Sequence, residues 1–494
     1  MRVTTSSMYG RILNNLFNSS ERLVDLNIKS GSQKNINKPS DDPMGTLRVM
    51  GYNDSIAALK QYKKNIDTSR GWLNLADETL QQVNVQLVRL KSIAEQAATG
   101  TLTPENREQI SYEAKQIFEQ LIALSNTEFE GKSIFSGHKL EEDAYARSMG
   151  LTANKDNVPQ ATISGKVGGT ILVQFTSAGE VGTDALNYRF SSDGGKTWED
   201  GTLAAGSRQI TLGDTRIDFQ KNFTVEATDI DNTNDSSGTW LWARPTATYK
   251  GDDNNFTVWD GGGNIQGTAL GRNIPEGLQV RYDGPGVGTI RNFSYSLDGG
   301  GTWTAVSASD QPYQLEVPGG KVVLGSLAGV AAGTVMTLSK NKGDLQVEIS
   351  EEVNIQINSV GLNIFGGQYK VPGSGDLYFK ANEGESNLFE AVGELVGYLE
   401  TNNQDGCGKI VARLRAVQSE IGSRQAVIGA RVNRLDAAKT VTEGLIDNEK
   451  KRKSSIEDVK VEELMTEMRK EEFIYEAVLR SSSMIMKMSL MNYM

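Results

Sequence analysis

Between residues 52 and 97 the chain keeps an apolar heptad for 46 residues, and this stretch constrains the fold more than any other. One seam position carries Tyr52, Leu59, Ile66, Leu73, Leu80, Leu87 and Ala94; the other carries Ser55, Tyr62, Ser69, Ala76, Val83, Leu90 and Ala97. The pattern is loose at first and strict from Leu73 onward, which marks Leu73, Leu80, Val83, Leu87 and Leu90 as its core. As one helix it would reach roughly 69 Å at ~1.5 Å per residue. A seam that narrow cannot bury itself, so partner helices must come from elsewhere in the chain or from other chains.

Candidates lie at both ends. Glycine divides the chain: of 52 glycines, 8 fall in residues 1–140 and 7 in 386–494, leaving 37 for the middle. Five of the six tryptophans are also in the middle. Helix-compatible ends therefore flank a turn-rich, β-type centre. Near the start, Ile12, Leu16, Leu23 and Leu26 form a helical stripe, with Leu13, Phe17 and Val24 off it. Near the finish, Leu464, Met468, Tyr475, Val478, Ile485 and Met488 form another, running into the Met-rich SSSMIMKMSLMNYM. Such stripes exceed what one chain can bury, so these ten residues are expected to join subunits.

Punctuation places the remaining helices. In PSDDPMG, Asp42 suits an N-cap and Pro43 the first helical position, whose N–H is unpaired in any helix. Two adjacent acids without a cleft do not make a catalytic pair. Thr103 and Pro104 repeat the signal, so the heptad helix should turn back into a helical hairpin through Ile110, Ala114, Ile117, Leu121 and Leu124. Helical patterning returns at Leu388–Leu399 and again from Ile410 to Leu435, supplying an intrachain partner for the heptad seam.

The β-type centre holds an internal repeat. YRFSSDGGKTW recurs 105 residues later as FSYSLDGGGTW. Both copies fit S-x-D-x-G-x-T-W: Ser191, Asp193, Gly195, Thr197 and Trp198, then Ser296, Asp298, Gly300, Thr302 and Trp303. The pattern resembles the Asp-box, a structural β-hairpin motif. Its Asp can satisfy turn amides, its Gly permits positive φ, and its Trp packs the hairpin base. Two related β modules are expected from it.

The fold expected is multidomain, α plus all-β: terminal helices from both chain ends form a coiled coil or helical bundle, with two repeated β-rich modules inserted between. Its parts are an N-terminal assembly helix (1–42), two halves of a helical core (43–140 and 386–450), β modules (141–262 and 263–342), a β segment beside the core (343–385), and a C-terminal assembly helix (451–494).

The chain ends are similar to the flagellin family. The residues that carry this are the opening MRVTTSSMYG, KSG…INKPSDDPMG around Lys29–Gly45, NTEFEGKSIFSG at 126–137, IGARVNRLD at Ile428–Asp436 and the closing SLMNYM. GDLQVEISEEVNIQINSVGLNIFG, Gly343–Gly366, resembles the family's β segment beside the helical domain. The resemblance implies a structural protein of the bacterial flagellum that adapts the hook-associated end of the hook to the filament by coiled-coil subunit packing. The alternative is the filament subunit, flagellin, which usually carries a KDDAAG-like sequence where this chain has PSDDPMG. The implied partners are further copies in a ring-like assembly, the first hook-associated protein, flagellin, and an export chaperone at the C-terminal helix. The implied location is extracellular, reached through the flagellar type III apparatus without a cleaved signal. Residues 1–30, which mix apolar with charged positions, agree with that route.

Other classes fare worse. A net charge of -11 argues against nucleic acid, and no run is long and apolar enough to insert in a membrane. An enzyme reading would rest on the Asp-boxes, and two copies are too few for a sialidase propeller. With one histidine, His138, and one cysteine, Cys407, neither a metal centre nor a cofactor is expected. Glycan binding or adhesion by the β modules is a separate, lesser possibility.

Overall fold

The computed structural model describes residues 5–491 apart from 160, 166–168, 220, 231–236, 253–255, 260–266, 271–273, 276, 310–312, 319, 341–342, 371–377 and 381–385. It describes backbone alone at 5–9, 256–259, 268, 270, 340, 378–379 and 485–491. Its helices are α1 (Thr5–Ser32), α2 (Pro43–Ala98), α3 (Pro104–Ser125), α4 (Gly361–Phe365), α5 (Leu388–Glu400), α6 (Gln404–Glu457) and α7 (Val461–Met491). None of the described helices is long and apolar enough to cross a membrane.

Two compact units emerge, and neither follows the boundaries expected at 42/43 and 450/451. One comprises 1–68, 348–353 and 435–494; the other comprises 69–347 and 354–434. The helix breaks do lie at 33–42 and 458–460, but the units divide within the continuous helices α2 and α6. The first unit keeps the early turns of α2 because they pair with the late turns of α6. Lys439 Nζ meets Asp67 Oδ1 at 2.7 Å, and Lys63 Nζ meets Glu443 Oε1 at 2.8 Å.

In the second unit α2, α3 and α6 pack around one apolar seam. Arg89 bridges to Glu113, while Arg107 reaches back to the carbonyls of Ala97 and Thr99, closing an antiparallel α2–α3 hairpin. Gln418 to Asn84 (3.0 Å) and Arg415 to Glu95 (3.2 Å) set α6 antiparallel to α2.

The β region departs from the expected pair of equivalent modules. In the first, the strand Trp240–Tyr249 sits centrally, antiparallel to Tyr145–Ala153 and Ile171–Phe175 and parallel to Gln368–Lys370. The second is one eight-stranded antiparallel sheet around a core that includes Phe293, Leu315, Val322 and Leu338. The repeat is thus confined to the Asp-box hairpins, because only the turn motif recurs and the strand orders around it differ. The boundary expected at 262/263 also shifts. Phe256–Trp259 pairs with both Gly267–Leu270 and Val335–Lys340, so it belongs to the second module.

The segment 343–385, expected as one β piece, divides in two. The tip of the hairpin Gln346–Ser350/Val353–Gln356 falls in the first unit, where Asn65 Nδ2 donates to the Glu348 carbonyl at 2.8 Å. Gln368–Lys370 and Tyr378–Lys380 instead extend the first module's sheet.

Candidate assembly surfaces

The acids of PSDDPMG do separate jobs. Asp41 Oδ2 accepts from the amides of Asn37 (3.0 Å) and Lys38 (2.9 Å), closing the turn. Those backbone bonds hold its carboxyl below the usual range. Asp42 Oδ1 accepts from the Gly45 amide at 2.9 Å, capping α2 ahead of Pro43. Gly45 is required by that cap: a Cβ there would lie 2.3 Å from Asp42 Oδ2. Thr103 caps α3 in the same manner through the Asn106 amide at 3.3 Å.

Leu73, Leu80, Val83, Leu87 and Leu90 are each at most 1% exposed. Ala114, Ile117, Phe118 and Leu121 of α3, and Cys407, Ile410, Leu414, Val417 and Ile421 of α6, are buried too. These chain segments cover the strict half of the heptad without a second molecule. Burial pushes the Cys407 thiol up to about 12, leaving it unreactive. Arg431, from the IGARVNRLD segment, donates to the Asn358 carbonyl at 3.1 Å and to Gln356 Oε1 at 2.5 Å, tying α6 to the β segment beside it.

The ten residues expected to join subunits are placed differently. Helices α1 and α7 pair with each other: Ser19 Oγ donates to Glu471 Oε1 at 2.9 Å, both residues being buried. Ile12, Leu16, Leu23 and Leu26 share the face of α1 that carries Ser19 and are half-buried. On α7, Leu464 is buried and Met468, Tyr475 and Val478 are half-buried. Ile485 and Met488 have side chains outside the described residues. The eight of these residues with described side chains therefore have most of their surface covered within the chain.

What stays uncovered is a second stripe. Phe17 (66%), Val24 (56%) and Ile28 (40%) are exposed. At ~100° per residue they lie roughly 130° around α1 from the first stripe. Phe473 (73%) and Met484 (63%) are exposed on α7. Phe17 and Val24 are among the residues that the sequence places off the first stripe. The signal was present, since Phe17 and Val24 are seven residues apart and Ile28 four more. Thirteen of the 22 exposed large apolar side chains among the described residues lie in the first unit, which has 134 of the 494 positions. Exposed apolar surface is thus concentrated in the first unit.

Both Asp-boxes hold their turns closed. Asp193 Oδ1 accepts from the amides of Lys196 (3.0 Å) and Thr197 (2.9 Å), and Asp193 Oδ2 accepts from Thr197 Oγ1 (2.6 Å). Asp298 does the same with the amide and hydroxyl of Thr302, at 2.9 and 2.8 Å. These hydrogen bonds hold both carboxyls well below the usual carboxylate range. Ser191 and Ser296 each accept from the amide of Gly195 or Gly300 at 2.8 Å, with φ of 95° and 99° at those glycines. Each Trp lies under an arginine, Trp198 under Arg189 at 4.3 Å and Trp303 under Arg281 at 4.4 Å. The carboxylates are saturated by their own turns, which leaves them no chemistry to perform.

One feature escaped the sequence reading. Arg244, fully buried on Trp240–Tyr249, pairs with Glu390 (2.7 Å) and Glu394 (3.2 Å) of α5, and Glu394 also pairs with Arg413 of α6. Burial opposes ionisation of Glu390, but Arg244 and Lys380 outweigh it and hold the carboxyl low. The clue was a pair of glutamates, Glu390 and Glu394, four apart inside an apolar helix whose only other acid is its last residue, Glu400. The knot fastens the first β module to the helices. Among the described residues no group of acidic, His or Cys side chains could hold a metal.

Residues 3–139 match the family described as the bacterial flagellin N-terminal helical region. Flagellar hook-associated protein 3 of Salmonella typhimurium is 26% identical over 151 residues, 30% of this chain and 48% of that protein. A flagellin of Salmonella rubislaw is 22% identical over 478 residues, 92% of this chain and 91% of its own. The crystal structure of flagellar hook-associated protein 3 from Legionella pneumophila aligns with 83% of this chain and 98% of its own, at 14% identity and a TM-score of 0.33. The chain spans about half the length of the curated hook-associated relatives it matches. The chain is thus similar both to hook-associated protein 3 and to flagellins.

Proposed function

We propose that this chain, which carries a flagellin N-terminal helical region, is a structural subunit of the bacterial flagellum acting at the hook–filament junction. The observation that carries the reading is the uncovered apolar surface of the unit built from both chain ends, centred on Phe17, Val24 and Ile28. Copies arranged in a ring bury that surface by helix-to-helix coiled-coil packing. They contact the first hook-associated protein on one side and flagellin on the other. An export chaperone covers the apolar α7 before assembly, and export runs through the type III apparatus. The role needs no catalysis, in keeping with Asp-box acids that are fully engaged in their turns.

A second reading, flagellin itself, draws support from the alignment that spans 92% of the chain. Deleting the gene separates the two. The junction reading expects intact hooks with unpolymerised flagellin in the medium, restored to filaments by the gene in trans. Loss of all filament protein from the cells and the medium would instead favour flagellin.

A further inference from the structure

A cleft of about 480 Å³ opens in the second unit, between α3, the end of α5 and the first Asp-box hairpin. Its volume falls within the roughly 300–1,000 Å³ of small-molecule sites. The seating of that hairpin on the helices creates it. Lys196 Nζ meets Glu108 Oε2 at 2.7 Å, Lys115 pairs with Glu400, and the Thr170 amide donates to Glu400 Oε2 at 3.0 Å.

Five carboxylates and two lysines line the cleft. Glu108 is taken by Lys196, Glu400 by Lys115, and Asp193 by the amides of its own turn. The remaining two, Glu199 and Asp214, are exposed, and their side chains make no hydrogen bond or ion pair among the described residues. Tyr112, 57% exposed, lines the same cleft. Thr170 adds a signal of a different kind. It is 3% exposed and lines the cleft, yet its Oγ1 has no hydrogen-bond partner among the described residues. Buried hydroxyls are nearly always paired, because an unpaired one has lost water and gained nothing.

We propose that this cleft binds a short oligosaccharide that carries no acidic group. Each feature has its counterpart in a sugar. The Tyr112 ring offers an apolar platform to the C–H face of a pyranose, with the phenol oxygen at the wet edge. The unengaged carboxylates of Glu199 and Asp214 accept from sugar hydroxyls, and such charge-assisted bonds are the strong ones. The Thr170 hydroxyl gains a partner that the fold does not supply. Two carboxylates without counter-charges repel an acidic sugar and accept a neutral or an amino sugar. A metal ion does not fit, since no group of acidic, His or Cys side chains among the described residues could hold one. The Asp-box acid takes no part beyond shaping the turn. Binding here does not depend on where in the flagellum the chain assembles.

Ligand-observed saturation-transfer NMR on the full chain provides the test. The probes are the neutral trisaccharides of glucose, galactose, mannose and N-acetylglucosamine, the glucosamine trisaccharide, and sialyllactose. Each is used at about 10 mM, which detects millimolar affinity. At least one neutral or amino trisaccharide should bind, and sialyllactose should not. Tyr112→Ala should weaken that binding about tenfold. Glu199→Gln combined with Asp214→Asn should weaken it too. These three side chains are exposed, so both variants should melt with the parent. Thr170→Val keeps the shape and removes the hydroxyl. It should weaken binding about threefold without lowering the thermal transition, whereas a merely structural threonine would show the reverse. No binding by any neutral or amino trisaccharide would overturn the site. So would binding that Tyr112→Ala and the carboxylate variant both leave unchanged, or sialyllactose binding as tightly as the neutral sugars. Should the carboxylate variant unfold, Tyr112→Ala and the sugar panel still decide the outcome.

Discussion

Helices α2 and α1 carry apolar stripes of similar periodicity, yet one is sealed within its chain and the other is not. Along the strict heptad of α2, Leu73, Leu80, Val83, Leu87 and Leu90 are covered by α3 and α6. Helix α1 has α7 as its partner and two stripes to cover, so Phe17, Val24 and Ile28 remain in solvent. Apolar periodicity says that a face needs covering. It does not say whether the cover belongs to the same molecule; the number of helices the chain can bring alongside decides that. In an isolated chain the α2 seam is therefore a stability element, and the second α1 stripe is apolar surface left in solvent.

The largest effect expected follows from the sealed side. Leu87→Glu places an unpaired carboxylate where the side chain is 1% exposed, at a cost of about 4 kcal/mol from the lost packing and the buried charge. Thermal unfolding of the purified chain, followed by circular dichroism, should show a transition lowered by several degrees or lost. A transition within a degree of the parent would mean that the α2 seam is not sealed by this chain.

The same contrast recurs on a smaller scale in the two Asp-box hairpins. Gly194 (φ 77°) and Gly299 (φ 72°) occupy equivalent positions in near-identical turns. The first turn is seated on the helices, where Lys196 Nζ meets Glu108 of α3 at 2.7 Å and a Cβ at 194 would lie 2.3 Å from the Glu400 carbonyl. The second has open space at Gly299. Both alanine substitutions pay the left-handed strain of about 1 kcal/mol. Gly194→Ala must in addition lift the turn off its seat, for a total of about 2–3 kcal/mol. Equal losses in denaturant titration would show that the first hairpin is as free as the second.

Much of this architecture was legible from the residues, and the gaps have physical causes. Asp42–Pro43 and Thr103–Pro104 fixed two helix starts because capping is local chemistry, readable within four residues. The glycine distribution located the β region, because turns need residues that tolerate positive φ. The strand orders were not legible: pairing of Phe256–Trp259 with Val335–Lys340 is a long-range choice that a short motif does not encode. The Asp-box repeat therefore suggested two like modules where only the hairpins are alike. The Arg244–Glu390 knot was hidden because its partners lie 146 residues apart, and each alone looks like a solvent-facing charge. On α1 the stripes are visible, but periodicity treats an own-chain partner and a neighbour's helix alike, so it does not give the cover that α7 provides.

The smallest effect on the monomer is also the sharpest test of that assignment. Phe17 is 66% exposed, so Phe17→Glu removes little buried surface and should change unfolding free energy by no more than about 0.5 kcal/mol. In an assembled ring the same carboxylate would face a neighbour's apolar side chains, where an unpaired charge is costly at every repeated contact. The variant should therefore unfold like the parent but fail to restore filaments to cells lacking this chain. If Phe17→Glu restores filaments fully, the second stripe faces solvent in the assembly and the α7-facing stripe must be the one that neighbours share. If it instead melts early, Phe17 already has a partner within its own chain, and the contrast between α1 and α2 disappears.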